Sequence, residues 1–285
     1  MGFLRLSVIT IAAIAAGLAL APSALAGVAT YNSTGGFFVS DDNGPAGDTS
    51  TIAVPPGRTA IQSVDVSNFR VNWGASAQEL STQLIGPDGT SLVLFQKGCF
   101  EYDPADVWVF SDSGTQTAPN DKDDPKCDLP GGTFRPTDEP PTFKKLSIFS
   151  GKPAAGLWTL RAIDNGATFT NQGTIESWAV RIVHAPPTLN ATAPAAGKLA
   201  NLAITATSNA NGSVKLGGAA ASATVPLTAN APKRISFSPA KAIRKKLRKK
   251  GKATADVTLA FTDETGGTAT DRVAFKVKAK KQKPK

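Results

Sequence analysis

The sequence predicts an all-β chain built as two successive β-sandwiches, the second carrying one short basic helix. Three observations predict it. Apolar and polar residues alternate at a period of two in many short runs, and clusters of Gly, Asn, Asp and Pro separate those runs. Charge divides the chain: residues 27–186 hold 11 Lys/Arg against 18 Asp/Glu, whereas residues 187–285 hold 19 against 4. All four tryptophans lie in the acidic part. Two modules of different character follow, at 27–186 and 201–280, joined by an Ala/Pro/Thr-rich linker at 187–200.

Residues 1–26 have the layout of a secretory signal peptide: Arg5, an apolar run over 6–20, and Ala24-Leu25-Ala26 as a small-x-small cleavage site before Gly27. An uncleaved anchor would need a span of about 20 apolar residues, and Pro22 with the cleavage site favours removal. No later stretch is apolar and long enough to cross a bilayer, so the mature chain is expected outside the cell. Cys99 and Cys127 are the two cysteines. In an exported chain an even pair suggests a disulfide, and two thiols without a neighbouring histidine do not make a zinc site.

In the first module a short strand is expected over 50–54 and a longer one over 61–73. Within the longer one the apolar parity slips from Val64 and Val66 to Phe69 and Val71, which predicts a β-bulge. Runs at 80–85 and 91–95 flank Gly86-Pro87-Asp88-Gly89, a hairpin turn. Residues 98–141 form a polar insertion whose Asp121, Asp123, Asp124 and Asp128 read as a solvated loop. Over 158–163, Trp158, Leu160 and Ala162 share one face; over 175–183, Trp178, Val180 and Ile182 do. Turn chemistry at Asp164-Asn165-Gly166 and Asn171-Gln172-Gly173 makes these two runs read as a hairpin with a long loop.

In the second module strands are expected over 202–207, 213–216, 223–227 and 234–237. A helix follows, with Ser238 as N-cap, Pro239 at its first position and Gly251 closing it. Ala240, Ile243 and Leu247 share its buried face, and eight Lys/Arg cover the rest between Lys241 and Lys252. A Lys-rich face of this kind first reads as a solvated one that keeps the helix soluble; the alternative is contact with an anionic surface, with Lys241, Arg244, Lys245, Arg248 and Lys249 as its candidates. Long strands over 253–263 and 268–280 come next, with Val257, Leu259 and Phe261 expected opposite Val273, Phe275 and Val277. A basic tail, 281–285, is expected to lack fixed structure.

The order of residues in the first module resembles a known family. Leu146, Phe149-Ser150-Gly151, Gly156-Leu157-Trp158-Thr159-Leu160, Asp164-Asn165, Gly173-Thr174-Ile175 and Ser177-Trp178 match the closing half of the P/Homo B domain, the β-rich companion of subtilisin/kexin-type proteases. The run QELSTQLIGPDGTSLVLF is similar to its earlier hairpin, with Glu79 standing where the family has aspartate. The resemblance implies a jelly-roll β-sandwich that supports a catalytic domain beside it. The second module resembles the immunoglobulin-like sandwiches with a basic helix found on exported bacterial proteins.

Some P-domain relatives carry calcium, which wants several oxygen ligands. Asp41, Asp42 and Asp48 in the opening loop, with Asp164, are the candidates, and no other cofactor is implied. A subtilisin mechanism needs serine, histidine and aspartate together. The single histidine, His184, ends a strand, and Ser91 in Gly89-Thr90-Ser91 follows a hairpin turn instead of opening a helix. The chain therefore reads as a secreted, non-catalytic accessory or recognition protein. Its partner would be a subtilisin-like protease in trans or an anionic cell-surface polymer. Nucleic acid is not expected, because the basic helix has no aromatic residues for base stacking. Two alternatives stand: an adhesion or carbohydrate-binding module using Trp73 and Trp108, and a serine endopeptidase by family association.

Overall fold

A computed structural model describes residues 24–40, 44, 46–73, 80–96, 106–118, 131–137, 145–165, 173–194, 196–198 and 202–279. The fold is all-β, with sheets stacked into sandwiches. In the first part the strands are β1 (Val28–Asn32), β2 (Phe37–Val39), β3 (Asp48–Val54), β4 (Ile61–Trp73), β5 (Leu80–Ile85) and β6 (Ser91–Phe95). They continue as β7 (Trp108–Phe110), β8 (Gln116–Thr117), β9 (Gly132–Arg135), β10 (Gly156–Asp164) and β11 (Gly173–His184), with a short 3-10 helix at Leu146–Phe149. One sheet runs β1-β11-β4-β7-β9-β8, with β2 also on β11, and the other runs β3-β10-β5-β6.

Period-two alternation dictates the core between these sheets. Trp158, Leu160 and Ala162 of β10 and Trp178, Val180 and Ile182 of β11 are all buried in one cluster. The two strands are not a hairpin, however. β10 pairs with β3 and β5, whereas β11 pairs with β1, β2 and β4, so they lie in opposite sheets. Both edges of each strand are already taken, so the chain passes from one sheet to the other between Asp164 and Gly173. Trp178 ties the layers together, its indole Nε1 donating to Ser50 Oγ of β3 at 3.0 Å.

The bulge expected in β4 is there. Val66 pairs with Phe110 and Phe69 with Trp108, and Asn68 between them has φ 49°. The slip turns Phe69 inward, where its ring meets Phe110 edge-on at 5.4 Å and Phe95 at 5.9 Å. Such aromatic contacts are worth about 0.5–1.5 kcal/mol beyond simple burial.

The second part contains β12 (Leu189–Thr192), β13 (Ala196–Lys198), β14 (Ala203–Ser208), β15 (Gly212–Gly218), β16 (Ala223–Leu227) and β17 (Lys233–Ser236). After helix α1 (Lys241–Lys250) come β18 (Lys252–Asp263) and β19 (Thr268–Lys278). A three-stranded sheet, β12-β14-β17, and a five-stranded sheet, β13-β19-β18-β15-β16, enclose a separate apolar cluster. The stretch read as a linker thus supplies two strands. β12 pairs antiparallel with β14 and buries Leu189, and β13 runs parallel to β19. Its Ala/Pro/Thr composition is compatible with an edge strand once a partner strand offers a free edge.

Two further expectations are corrected. α1 is capped by the backbone of Ala240, not by Ser238, and has no side-chain cap. Ser238 and Pro239 instead pair with Ala220 and Ala221, the Ser238 carbonyl accepting from Ala221 N–H at 2.8 Å. In the β18–β19 hairpin Val257 does face Val273, but Leu259 faces Asp271, Phe261 faces Ala269, and Phe275 and Val277 face Ala255 and Ala253. The turn sets that register. Asp263 Oδ1 accepts from Thr265 N–H at 2.8 Å and from Gly267 N–H at 2.7 Å.

Gly251 closes α1 as expected, with φ 68° and its N–H donating to the Leu247 carbonyl. Nothing lies within 4 Å of where a Cβ would stand, so Gly251→Ala isolates the cost of left-handed backbone. It should destabilise the second sandwich by about 1 kcal/mol, read from chemical denaturation followed by circular dichroism.

Contacts join the two sandwiches. Arg58 pairs with Glu264, Asn211 N–H donates to the Gly57 carbonyl at 2.8 Å, and Val28 N–H donates to the Thr265 carbonyl at 3.1 Å. Gly57 has φ 81°, and a Cβ there would run into the Asn211 amide, so a side chain is excluded twice over.

Candidate functional site

Of the predicted calcium ligands, Asp41 and Asp42 lie outside the described residues, as do Cys99, Cys127, residues 1–23 of the leader and the 281–285 tail. Asp48 opens β3, and its Oδ2 accepts from Ser40 N–H at 2.8 Å. Asp164 closes β10 and is buried. Because Asp48 pairs with Ala162, two residues before Asp164, the fold brings both carboxylates to one end of the four-stranded sheet. Among the described residues no three His, Cys, Asp or Glu side chains gather as a metal site would require.

His184 and Ser91 are held apart by their elements. His184 ends β11 with 0 % of its surface exposed. Its Nδ1 stands 3.3 Å from the Thr59 carbonyl and its Nε2 3.4 Å from the Tyr31 hydroxyl. Burial disfavours the imidazolium and lowers its pKa from the ordinary 6.5; the hydrogen bond to Thr59 and the carboxylate of Asp263 oppose that, while Arg58 adds to it. Ser91 begins β6 in the other sheet, opposite Ile85. Trp73 and Trp108, the aromatics assigned to carbohydrate contact, are 2 % and 0 % exposed. A sugar needs an exposed ring to stack on, so that assignment is withdrawn.

A small cleft of about 250 Å³ lies among Ser63, Asp65, Ser111, Asp112, Ser113 and Ser147. Its carboxylates already have work within the fold. Asp112 accepts from Leu146 and Ser147 N–H at 2.7 and 2.9 Å, and Asp65 pairs with Arg181 at 3.0 Å.

The basic helix is different. Ile243 and Leu247 face the second core, and every Lys and Arg of α1 is exposed. Among the described residues none of these cations is in an ion pair with a carboxylate. The four acids of this half are all engaged elsewhere: Asp256 with Arg272, Glu264 with Arg58, Asp263 in its own turn, and Asp271 accepting from Ala191 N–H at 2.6 Å. Like charges also stack one turn apart, at Lys241/Lys245, Arg244/Arg248, Lys245/Lys249 and Lys246/Lys250. Each such pair destabilises a helix by about 0.2–0.5 kcal/mol. Arg248, Lys249 and Lys250 offset part of this by completing the negative end of the helix dipole.

Beyond the residues singled out from sequence, the fold adds Lys252, Lys276 and Lys278. Lys252 follows Gly251 directly and pairs with Lys278, while Lys276 faces Thr254; all three lysines are exposed. Strand alternation made each of them outward-facing, but only the register places them beside the end of the helix.

No protein-family model matches the chain. No curated protein matches it either. Among solved structures it is similar to the serine protease of Aeromonas sobria, at 15 % identity and a TM-score of 0.32, over 55 % of this chain and 26 % of that one. The same protease in complex with its chaperone gives 14 % and 0.31, over 57 % and 27 %. The chain therefore spans about a quarter of the length of those matches. The adhesin domain of Epf from Streptococcus pyogenes is matched at 10 % identity and a TM-score of 0.26, over 93 % of this chain and all of that one. Similarity at this level does not establish a shared fold, and no function passes from those proteins to this one. Among the described residues no helix is long and apolar enough to cross a membrane.

Proposed function

We infer that this chain is an exported, non-catalytic binding protein whose second sandwich tethers it to an anionic cell-surface polymer through α1. The observation that carries this reading is the set of exposed helix cations that no carboxylate among the described residues neutralises. Such a charge accumulation steers and holds polyanions. Retention of the full chain on an anionic polymer should fall steeply as salt rises, because exposed charges are screened beyond about 10 Å at 0.1 M; retention independent of salt would overturn the tether.

The first sandwich, by its resemblance to P/Homo B domains, acts as a recognition or stabilising module for a subtilisin-like serine protease in trans. Equimolar chain should lengthen the half-life of such a protease on heating, and an unchanged half-life would remove this role. What supports the non-catalytic reading is the use of His184 on Thr59 and Tyr31 and the place of Ser91 on a strand of the other sheet. Covalent labelling of any serine by a fluorophosphonate probe would reverse it. Calcium rests on Asp48 and Asp164 at one end of the four-stranded sheet and on the sequence candidates Asp41 and Asp42. Chelation should then lower the melting temperature of the first sandwich, and an unchanged midpoint would remove calcium.

A further inference from the structure

We propose that α1 and the adjoining ends of β18 and β19 form a binding face for a linear polyol phosphodiester, a chain of phosphates without bases, held by charge and never entering a bilayer. This rests on the tether reading and names its ligand.

A basic amphipathic helix could serve three kinds of polyanion: lipid headgroups, nucleic acid or polyol phosphate. The packing of α1 decides against the first. A helix that binds at a bilayer buries its apolar face about 5–10 Å into the headgroup boundary. Here Ile243 and Leu247 are 8 % and 2 % exposed, packed into the protein's own core, and only charged groups and Ala242 are left on the outside. The residue types decide against single-stranded nucleic acid, and the titration below decides on a duplex. Binding to single strands without sequence preference relies on aromatic platforms for the bases. α1 holds only Lys, Arg, Ala, Ile and Leu, and the outer faces of β18 and β19 beside it carry Lys252, Thr254, Lys276 and Lys278.

What remains is repeated charge over an extended surface. The helix has 10 residues, which at about 1.5 Å per residue spans about 15 Å, and Lys252, paired with Lys278, follows directly after Gly251. A single phosphate would meet one or two of these cations on a convex face. A polymer meets many at once and relieves the repulsion between the stacked pairs, so binding should also raise the melting temperature of the second sandwich.

The experiment titrates the full chain with four probes of equal phosphate number: fluorescein-labelled poly(glycerol phosphate), oligo(dT), its duplex with oligo(dA), and phosphatidylglycerol vesicles. Poly(glycerol phosphate) should bind with log K falling linearly in log salt. If roughly five phosphates are neutralised, the slope should be about −3.5. Oligo(dT) and the duplex should bind no tighter, and vesicle binding should be abolished by about 0.5 M salt. The triple variants K245Q/R248Q/K249Q and K252Q/K276Q/K278Q should each weaken polymer binding by about tenfold or more. All six positions are exposed, so both variants should stay folded, with melting temperatures within a few degrees of the parent's. Oligo(dT) or duplex binding tenfold tighter, vesicle binding that survives the salt, or unaltered affinity in either triple variant would overturn this proposal while leaving a tether in place. If no polyanion binds at all, the tether reading itself fails.

Discussion

Trp178→Ala should cost the first sandwich about 3–5 kcal/mol, the range for deleting a fully buried indole when its surroundings cannot collapse into the space. The side chain is 0 % exposed, sits among strands of both sheets and bridges the layers through Ser50. A loss of that size is a large part of the roughly 5–15 kcal/mol that holds an ordinary domain folded. Trp178→Phe keeps most of the apolar volume and removes the hydrogen bond, leaving Ser50 Oγ without this donor. It should cost markedly less, about 1–2 kcal/mol. The measurement is clean because all four tryptophans belong to the first sandwich, so fluorescence follows its unfolding and circular dichroism in addition follows the second. The urea midpoint should drop at constant slope for the fluorescence transition, while the second sandwich, with its separate core, unfolds where it did before. A loss under about 1 kcal/mol for the alanine variant would mean that the indole is not packed between the sheets.

Acidification should destabilise the junction through His184. Its pKa is lowered by burial, so the folded state holds the neutral ring. Between the folded and unfolded values the unfolded chain binds more protons, and stability rises with pH in that window. The contribution of His184 is therefore complete above about pH 6.5 and is lost as pH falls through the lower, folded value. Protonation removes the Nε2 lone pair that faces the Tyr31 hydroxyl and places a cation beside Arg58, with Asp263 giving partial compensation. His184→Gln can still donate to Thr59 and accept from Tyr31 without titrating, so the fall in melting temperature between about pH 7 and pH 5 should flatten. Identical pH profiles for the two proteins would show that the ring is not buried as described. The Asp88 carboxyl, held low by its own partners, does not interfere. The Lys152 ammonium and Thr90 N–H hold the Asp88 carboxyl at about 2, so its contribution is lost only below the ordinary carboxylate value of 3.8.

Much of the fold was legible because strand signals are local. The inward faces of β10 and β11, the Gly86–Gly89 turn, the β4 bulge and the Gly251 cap all depend on residues a few positions apart. Partnership is not local. Nothing between Asp164 and Gly173 states that the loop crosses from one sheet to the other, since the same Asn/Gly chemistry would close a hairpin. The 187–200 stretch lacked an apolar stripe because β12 and β13 are edge strands that borrow order from β14 and β19. Ser238 and Pro239 have the chemistry of a helix start, but pairing with Ala220 and Ala221 claims them first.

The candidate site divides along the same line. Its charges could be read directly, because seven Lys/Arg in a ten-residue helix need no context to be recognised. That Ile243 and Leu247 are buried could be read as well; what they bury against could not. Ile243 and Leu247 would suit a bilayer, a partner or the chain's own interior equally well, since burial of apolar area has no direction of its own.

Composition and alternation alone determined that this chain is all-β, with an acidic tryptophan-bearing part and a basic part, because side-chain parity and charge are properties of neighbours in sequence. Tertiary structure decided which strands share a sheet, that His184 is enclosed, that Trp73 and Trp108 are unavailable to a sugar, and that Lys252, Lys276 and Lys278 extend the helix's charge. Each of those depends on hydrogen-bond register and packing between residues far apart in the chain, which only the closed sandwiches specify.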